Sequence, residues 1–328
     1  MNVSVIIPAY NAAPFLARAI DSVLAQEYPV AQLILVDNNS VDGTLAIMHS
    51  YQQRYPQRIL VAQCKRQGVS AARNRGLALA TGEWVQFLDA DDTLDPRKLS
   101  AQLALVQPRT EWIIGGYRNA YADGSTLNNI PHPDPWRGLV FGYRAGCTHA
   151  NLFRRHVLTS GIAWEESLPD NEDPTLCFAL LRAGVRWQVI PEVLCTYHHH
   201  PTPGRLSLHD AVGGKAREVA LLRAINSHLA ATAPAYWQEH AAYFQAALLR
   251  ALRVQATFDL TGATATFQTC FPQGLTGIDW ATQQLLPKVF IQAYQLFGFH
   301  RSEAIRLTLS QILPSRLLQR LKPRNPQP

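Results

Sequence analysis

The sequence predicts an α/β fold: a mostly parallel, helix-covered sheet followed by a helical C-terminal region. Three observations carry this expectation. Short apolar runs alternate with amphipathic stretches of about ten residues through the first hundred positions, which is the rhythm of β-α-β units. Several of these runs end in a carboxylate or a turn residue, Asp37 and Asp89 among them, and parallel sheets present ligand-binding groups at the carboxyl ends of their strands. Beyond about Asp210 the composition becomes rich in Ala, Leu and Gln. At 328 residues, 47% hydrophobic and 16% charged, the chain has apolar surface for one large domain and a smaller one. The domains are expected at 1–208 and 209–328.

Val3–Ile7 is an apolar run closed by Pro8 and reads as the first strand. Pro14 opens a helix with Phe15, Leu16, Ala19, Ile20, Val23 and Leu24 on one face. Leu33–Val36 is the second strand, ending at Asp37, and Asn38 to Gly43 is turn chemistry. A helix from Thr44 to about Tyr55, a strand at Ile59–Ala62 and a helix from Gly68 to Ala80 follow. Trp84–Leu88 is the fourth strand and runs into Asp89-Ala90-Asp91-Asp92. Pro96 to Val106 reads as helix and Trp112-Ile113-Ile114 as strand. From Tyr117 to Gly146 the pattern dissolves, with Asp123-Gly124 marking a turn and Pro131, Pro133 and Pro135 arguing against regular structure. Asn151-Leu152-Phe153 returns as a strand, a helix begins at Asp173-Pro174, and Trp187–Ile190 is a late strand.

The five cysteines are scattered with no Cys-x-x-Cys, so neither a zinc site nor a disulfide framework is expected, and a reducing cytosol fits. No basic leader with an apolar h-region and no bilayer-length apolar run is visible. The net charge is +6, but the basic residues do not form an aromatic-interleaved nucleic-acid motif, so no nucleic-acid partner is expected. They gather at the C-terminus: Arg301, Arg306, Arg316, Arg320, Lys322 and Arg324, opposed only by Glu303 and interleaved with Ile305, Leu309, Leu313, Leu317 and Leu321. That pattern suits attachment to an anionic membrane surface, or a core-packing helix with a solvated basic face.

Three carboxylates at one strand end repel unless a cation sits among them. Asp89, Asp91 and Asp92 therefore read either as a solvated turn that caps a helix or as a divalent-cation site built from hard oxygen ligands. The loop after the first strand, Pro8-Ala9-Tyr10-Asn11, has no Gly-x-Gly-x-x-Gly, and no P-loop occurs anywhere. Tyr10 offers a flat face, Asn11 an amide, and Asp37 a carboxylate for a base N–H or a ribose hydroxyl. Arg73, on a helix running towards the acidic strand, is placed to reach a phosphate. Trp112, Trp136 and Trp164 are candidates for stacking on a ligand ring, or core anchors.

Val5-Ile6-Ile7-Pro8-Ala9-Tyr10-Asn11, Leu35-Val36-Asp37 through Thr44, Gly68-Val69-Ser70-Ala71-Ala72-Arg73-Asn74-Arg75-Gly76, and Gly82-Glu83-Trp84 through Asp92 together resemble the family 2 glycosyltransferases of the GT-A fold. The resemblance is clear over 1–110 and patchy to about 208. It implies a GT-A nucleotide-sugar-binding fold and an inverting, metal-dependent transferase. Its donor would be a nucleotide sugar, expected to be a UDP-sugar, and its acceptor a glycan or lipid-linked hydroxyl in cell-surface polysaccharide or lipopolysaccharide synthesis. Pro8, Ala9, Tyr10, Asn11, Asp37, Arg73, Asp89, Ala90 and Asp91 would contact the donor. Asp91 and Asp89, with His200, would hold Mg2+ or Mn2+. Asp173, with Glu172 beside it, matches the position of the catalytic base; a carboxylate is the group needed to take the proton of an attacking hydroxyl. The enzyme would be cytoplasmic, or peripheral at the inner face of the cytoplasmic membrane. The alternatives are a sugar-nucleotide-forming nucleotidyltransferase and a non-catalytic, membrane-associated relative. Three positions depart from the family pattern: Asn38 stands for a second aspartate, Pro174 for an aromatic, and His198 for an arginine.

Overall fold

The computed structural model describes residues 1–141, 145, 147–200, 210–275, 286 and 288–312. The chain divides into two compact units, Met1–Pro203 and Gly204–Pro328; the expected boundary at 208/209 lies outside the described residues. In the first unit, β1 (Val3–Ala9), β2 (Gln32–Asp37), β3 (Ile59–Gln63) and β4 (Trp84–Phe87) pair in parallel in the order β3-β2-β1-β4. Their crossovers are α1 (Leu16–Leu24), α2 (Thr44–Arg54) and α3 (Val69–Leu79). All of β1 is buried, which its nearly unbroken apolar sequence anticipates for a parallel strand covered on both faces. Leu16, Ala19, Ile20 and Val23 of α1 form the buried stripe at helical spacing. In α3 the buried positions are mostly small, and a Cβ on Gly76 would collide with Ile6 Cγ2. The glycine lets α3 lie close against β1. Arg73, three residues earlier on the same helix face, is carried with it into the interior.

The sheet then continues through elements that do not follow the parallel plan. These are β5 (Thr93–Leu94), α4 (Lys98–Leu103), β6 (Trp112–Ala120), β7 (Thr126–Asn129), α5 (Pro135–Val140), β8 (Leu152–Arg154), α6 (Arg155–Thr159), α7 (Glu172–Arg182) and β9 (Trp187–His198). The full order is β3-β2-β1-β4-β8-β6-β9-β5, with β7 on β6. Strand β8 is antiparallel to both β4 and β6, β5 to β9, and β7 to β6, while β6 and β9 run parallel. The parallel description therefore holds for the first four strands, and the sheet as a whole is mixed. Stacked Trp112 and Phe153, with Phe87 edge-on to Phe153, fill the core where the two halves join. Each such fully buried side chain contributes roughly 1.5–3 kcal/mol.

The stretch expected to be irregular is largely ordered. Strand β6 runs on to Ala120 and forms a hairpin with β7 around Asp123-Gly124, where Gly124 takes φ +83°. Pro135 starts α5, behind an Asp134 cap whose Oδ1 accepts from the Trp136 N–H at 3.0 Å. Proline at the first helical position sacrifices no intrahelical bond, so it does not break structure here. Residues 142–144 and 146 of that stretch lie outside the described residues. Likewise β9 is twelve residues long despite Pro191. The register shifts between Ile114↔Val189 and Gly116↔Val193, and the irregularity accommodates a residue with no N–H to donate.

The second unit is helical: α8 (Ala211–Thr232), α9 (Pro234–Gln255), α10 (Leu260–Cys270), α11 (Lys288–Phe297) and α12 (Phe299–Ile312). Glu303 is fully buried. It accepts from Arg306 Nε at 2.6 Å and from the Tyr294 hydroxyl, and it lies 3.7 Å from Arg253 Nε. Arg306 is therefore turned towards an internal partner rather than belonging wholly to a free basic face. The remaining tail, with Arg316, Arg320, Lys322 and Arg324, lies outside the described residues. Among the described residues no helix is long and apolar enough to cross a membrane.

Candidate active site

Parallel pairing brings the carboxyl ends of the first strands to one rim. The register sets Ala9 opposite Asp37 and Ile6 opposite Phe87, and the Leu88 N–H donates to the Ile6 carbonyl at 3.0 Å. Pro8-Ala9-Tyr10-Asn11, Asp37 and Asp89 thus leave adjacent strands on the same side, where β1 lies between β2 and β4 at a topological switch point. Tyr10 is 53% exposed. Asn11 adopts φ +48°, and its Oδ1 accepts from the Val41 N–H at 2.9 Å, which ties the loop after β1 to the loop after β2. Asp37 is buried and accepts from the Ser40 N–H at 3.2 Å.

Asn38 explains its own departure from the family pattern. Its amide nitrogen donates to the carbonyls of Cys64 (3.0 Å) and Arg66 (2.7 Å), and its Oδ1 accepts from the Gly68 N–H (2.8 Å). It binds the loops after β2 and β3 to the start of α3. A carboxylate could keep the bond from Gly68 but could not donate to two carbonyls.

Arg73 is the centre of the site. Its side chain is 2% exposed. Nη2 donates to Asp89 Oδ1 at 2.8 Å, and Nη1 donates to Glu172 Oε1 at 3.2 Å and Asp173 Oδ1 at 3.3 Å. The guanidinium carbon lies 4.4 Å from the centroid of the Trp164 ring. Burial alone would lower the guanidinium's pKa, but Asp89, Asp173 and Glu172 outweigh it and raise it further. The sequence places Arg73 to reach a phosphate; in this structure its side chain clamps three carboxylates from two segments, the loop after β4 and the start of α7. Asp173, in the first turn of α7, also accepts from the Thr148 N–H at 3.0 Å through Oδ2. Each of its oxygens has a fixed partner while the side chain stays 22% exposed. Glu172 sits beside it, its carboxyl held above the usual glutamate range by burial and by the charge of Asp173.

The three aspartates after β4 separate in role. Asp91 Oδ2 lies 2.7 Å from His200 Nε2, with the two side chains 25% and 17% exposed. Phe15 stacks on the His200 ring, centroids 4.3 Å apart. Arg18 donates to the Asp91 carbonyl at 2.6 Å. Asp92 points inward and is fully buried. It accepts from the His198 N–H at 2.8 Å, and its other oxygen lies 3.2 Å from His149 Nδ1. It does not cap a helix. Two-residue β5 explains the difference: Thr93 and Leu94 pair with Thr196 and Cys195, which turns the residue before them under β9. Burial lowers the His149 pKa to about 4.

A divalent cation fits Asp91 and His200. Two ligands on adjacent positions of an ion bound at about 2.1 Å lie about 3 Å apart, so the observed pair needs to open by only a few tenths of an ångström. The carboxylate is a hard oxygen ligand of the kind Mg2+ and Mn2+ take, and the imidazole is a ligand of transition-metal ions. One carboxylate oxygen each of Asp89 and Asp92 and one His149 nitrogen also lie within 4.8 Å of one another, but Asp92 and His149 are sealed in the interior, away from any phosphate. Of the expected metal residues, Asp91 and His200 are brought together, while Asp89 is engaged by Arg73.

Of the three candidate tryptophans, Trp112 and Trp164 are buried and Trp136 is half-buried. Trp112 is in the core and donates through Nε1 to Asn151 Oδ1 at 3.1 Å, Trp164 backs Arg73 at 3% exposure, and Trp136 packs edge-on to Phe178. Thr148 and His149 carry no signal in the sequence that marks them as site residues. The former acts through its backbone N–H, which leaves no side-chain signature, and the latter is a single histidine in a stretch with no periodicity.

The site is thus a rim of loops at the carboxyl ends of parallel strands, with a clamped carboxylate pair beside it. The model of the family described as "Glycosyl transferase family 2" matches residues 4–160. The amylovoran biosynthesis glycosyltransferase AmsB of Erwinia amylovora is 31% identical over 212 residues, covering 60% of this chain and 70% of AmsB. The succinoglycan biosynthesis protein ExoO of Rhizobium meliloti is 38% identical over 212 residues, 60% of each chain. The putative teichuronic acid biosynthesis glycosyltransferase TuaG of Bacillus subtilis is 37% identical over 132 residues, 40% of this chain and 52% of TuaG. The chain belongs to glycosyl transferase family 2. Among solved structures, S. aureus TarS 1-349 in complex with UDP-GlcNAc superposes with a TM-score of 0.64 at 17% identity, covering 95% of this chain and 92% of that one. That likeness establishes the shared GT-A fold.

Proposed function

We propose that the protein transfers a sugar from a nucleotide-sugar donor, with a UDP-sugar as the expected one, to a hydroxyl of a growing cell-surface glycan, with inversion at the anomeric carbon. The observation that carries this reading is Asp173: a part-exposed carboxylate fixed by Arg73 and the Thr148 N–H, beside the rim that carries Asp89 and Asp91. Asp173 takes the proton of the acceptor hydroxyl. The hydroxyl oxygen forms its bond to the anomeric carbon as the bond from that carbon to the donor's phosphate oxygen breaks, and the nucleoside diphosphate leaves with the electron pair. Tyr10, Asn11 and Asp37 face the base and ribose, and Asp89 the ribose or diphosphate. Asp91 and His200 would hold the divalent cation, which when bound offsets charge on the diphosphate. Pro8 and Ala9 contribute backbone to the donor side, and Ala90 sits between the two aspartates.

The acceptor class rests on the names of the relatives: amylovoran, teichuronic acid and succinoglycan are the products named for AmsB, TuaG and ExoO. Residues 1–203 are the proposed catalytic unit. The helical unit would hold the enzyme against the anionic inner face of the cytoplasmic membrane; Arg301, Ile305 and Leu309 are exposed on α12 at four-residue spacing.

The test is a panel of UDP-, GDP- and TDP-sugars with Mn2+ or Mg2+, reading nucleoside diphosphate release. Asp173→Asn keeps the shape and removes the base. Its kcat is expected to fall about 10²- to 10⁴-fold with little change in donor KM. Release of pyrophosphate instead would replace this reading with nucleotidyl transfer, and an Asp173→Asn enzyme as fast as wild type would remove the base assignment.

A further inference from the structure

Behind the site lies a buried lysine that the proposed chemistry does not use. Lys98, at the start of α4, is fully buried. Its ammonium donates to Gln86 Oε1 at 2.6 Å and to Gln102 Oε1. Each glutamine passes the connection on: Gln86 Nε2 donates to the His149 carbonyl at 3.0 Å, and Gln102 Nε2 to the Ala150 carbonyl at 2.9 Å. Those two carbonyls belong to the one-turn 3₁₀ segment Thr148–Ala150. The first N–H of that segment is the one donated to Asp173 Oδ2 at 3.0 Å.

We propose that Lys98 is a positioning residue for transfer: through Gln86 and Gln102 it fixes the Thr148–Ala150 turn, and through the Thr148 N–H it sets the orientation of Asp173. The inference rests on Asp173 being the base. Geometry supports it over simple core filling. A lysine in the interior carries a large desolvation cost that a methionine of similar length avoids. Its bonding partners are two neutral amide oxygens rather than a carboxylate, so ion pairing does not repay that cost. Burial lowers its pKa to about 8. What the ammonium supplies, and a methionine cannot, is a donor that holds two amide oxygens at once. The amides' remaining N–H groups then face the turn's carbonyls. Lys98 and Gln102 come from α4 and Gln86 from β4, so two elements hold the turn's carbonyls while its first N–H is donated to Asp173.

The test is a double-mutant cycle on the full chain, using Lys98→Met and Asp173→Asn singly and together, with thermal unfolding run on each. Activity is hydrolysis of the fastest donor in the sugar-nucleotide panel, with water as the acceptor. Lys98→Met is expected to lower kcat about 10- to 100-fold, the usual cost of removing an outer support, with donor KM within about twofold of wild type. On the Asp173→Asn background the same substitution is expected to cost almost nothing, because the group it orients is gone. An equal kcat loss on both backgrounds, or a loss confined to KM, would overturn the positioning role. If Asp173→Asn alone is fully active, the base reading fails, which is a separate result. Should Lys98→Met not fold, Gln102→Met removes only the Ala150 end and enters the same cycle with the same expected non-additivity; additive losses there overturn the proposal equally.

Discussion

Replacing Arg73 with methionine removes the cation that three carboxylates share and keeps most of the side-chain volume. Asp89, Glu172 and Asp173 each contact the guanidinium at 2.8–3.3 Å, and none has more than 27% of its side chain exposed. Breaking a buried ion pair by removing one partner costs about 3–5 kcal/mol. At about 2–4 °C per kcal/mol for a unit of this size, the melting temperature should fall by about 6–20 °C near pH 8. The sign of the pH dependence follows from Glu172. Its carboxyl already lies above its ordinary value of 4.5 in the folded protein, so it favours folding fully below that value, and the contribution is lost as pH rises through the folded pKa. Without Arg73 the Glu172 carboxyl moves further up, so the gap between wild type and Arg73→Met should be widest at pH 8 and narrow towards pH 5, as Glu172 takes up its proton. Arg73→Lys should recover only part of the stability, because one ammonium cannot span contacts to three carboxylates as the planar fork does. Thermal unfolding at half-unit pH steps reads all of this. A methionine variant within about 2 °C of wild type at pH 8, or a gap that does not change with pH, would refute the clamp.

Two further outcomes follow from the geometry. Asp91→Ala should abolish metal-dependent turnover, and His200→Ala should raise the Mn2+ concentration for half-maximal activity at least about tenfold; a titration of nucleoside diphosphate release against Mn2+ measures both, and unchanged curves would remove the pair as ligands. Asn38→Asp loses two donors to the Cys64 and Arg66 carbonyls and should cost about 1–3 kcal/mol in urea unfolding. A neutral result there would mean that the loops after β2 and β3 are held by other bonds.

The strands that build the rim were readable because each is a short apolar run that ends abruptly, and parallel pairing follows from the helices between them. The second half was harder for a physical reason. Whether Leu152–Arg154 pairs parallel or antiparallel depends on how the chain returns to the sheet, and a three-residue strand carries no trace of that. Pro135 misled because proline marks both an interruption and a helix start, and only the Asp134 cap distinguishes the two. Within the site, sequence named the charges but not their pairings. Arg73 and Asp173 are a hundred residues apart, and their contact exists because Gly76 lets α3 approach β1 while Asp173 opens α7. The Asp89-Ala90-Asp91-Asp92 run gives the clearest case. Four adjacent residues send one carboxylate to an arginine, one to a part-exposed histidine and one into the core. A cation site needs the second of these to be accessible and the third to be out of the way. Both conditions are set by Thr93 and Leu94 joining β9, a pairing too short to leave a period. The fate of each carboxylate in the acidic run is therefore set by its neighbours: the β5–β9 pairing accompanies the inward turn of Asp92, and Arg73 holds Asp89.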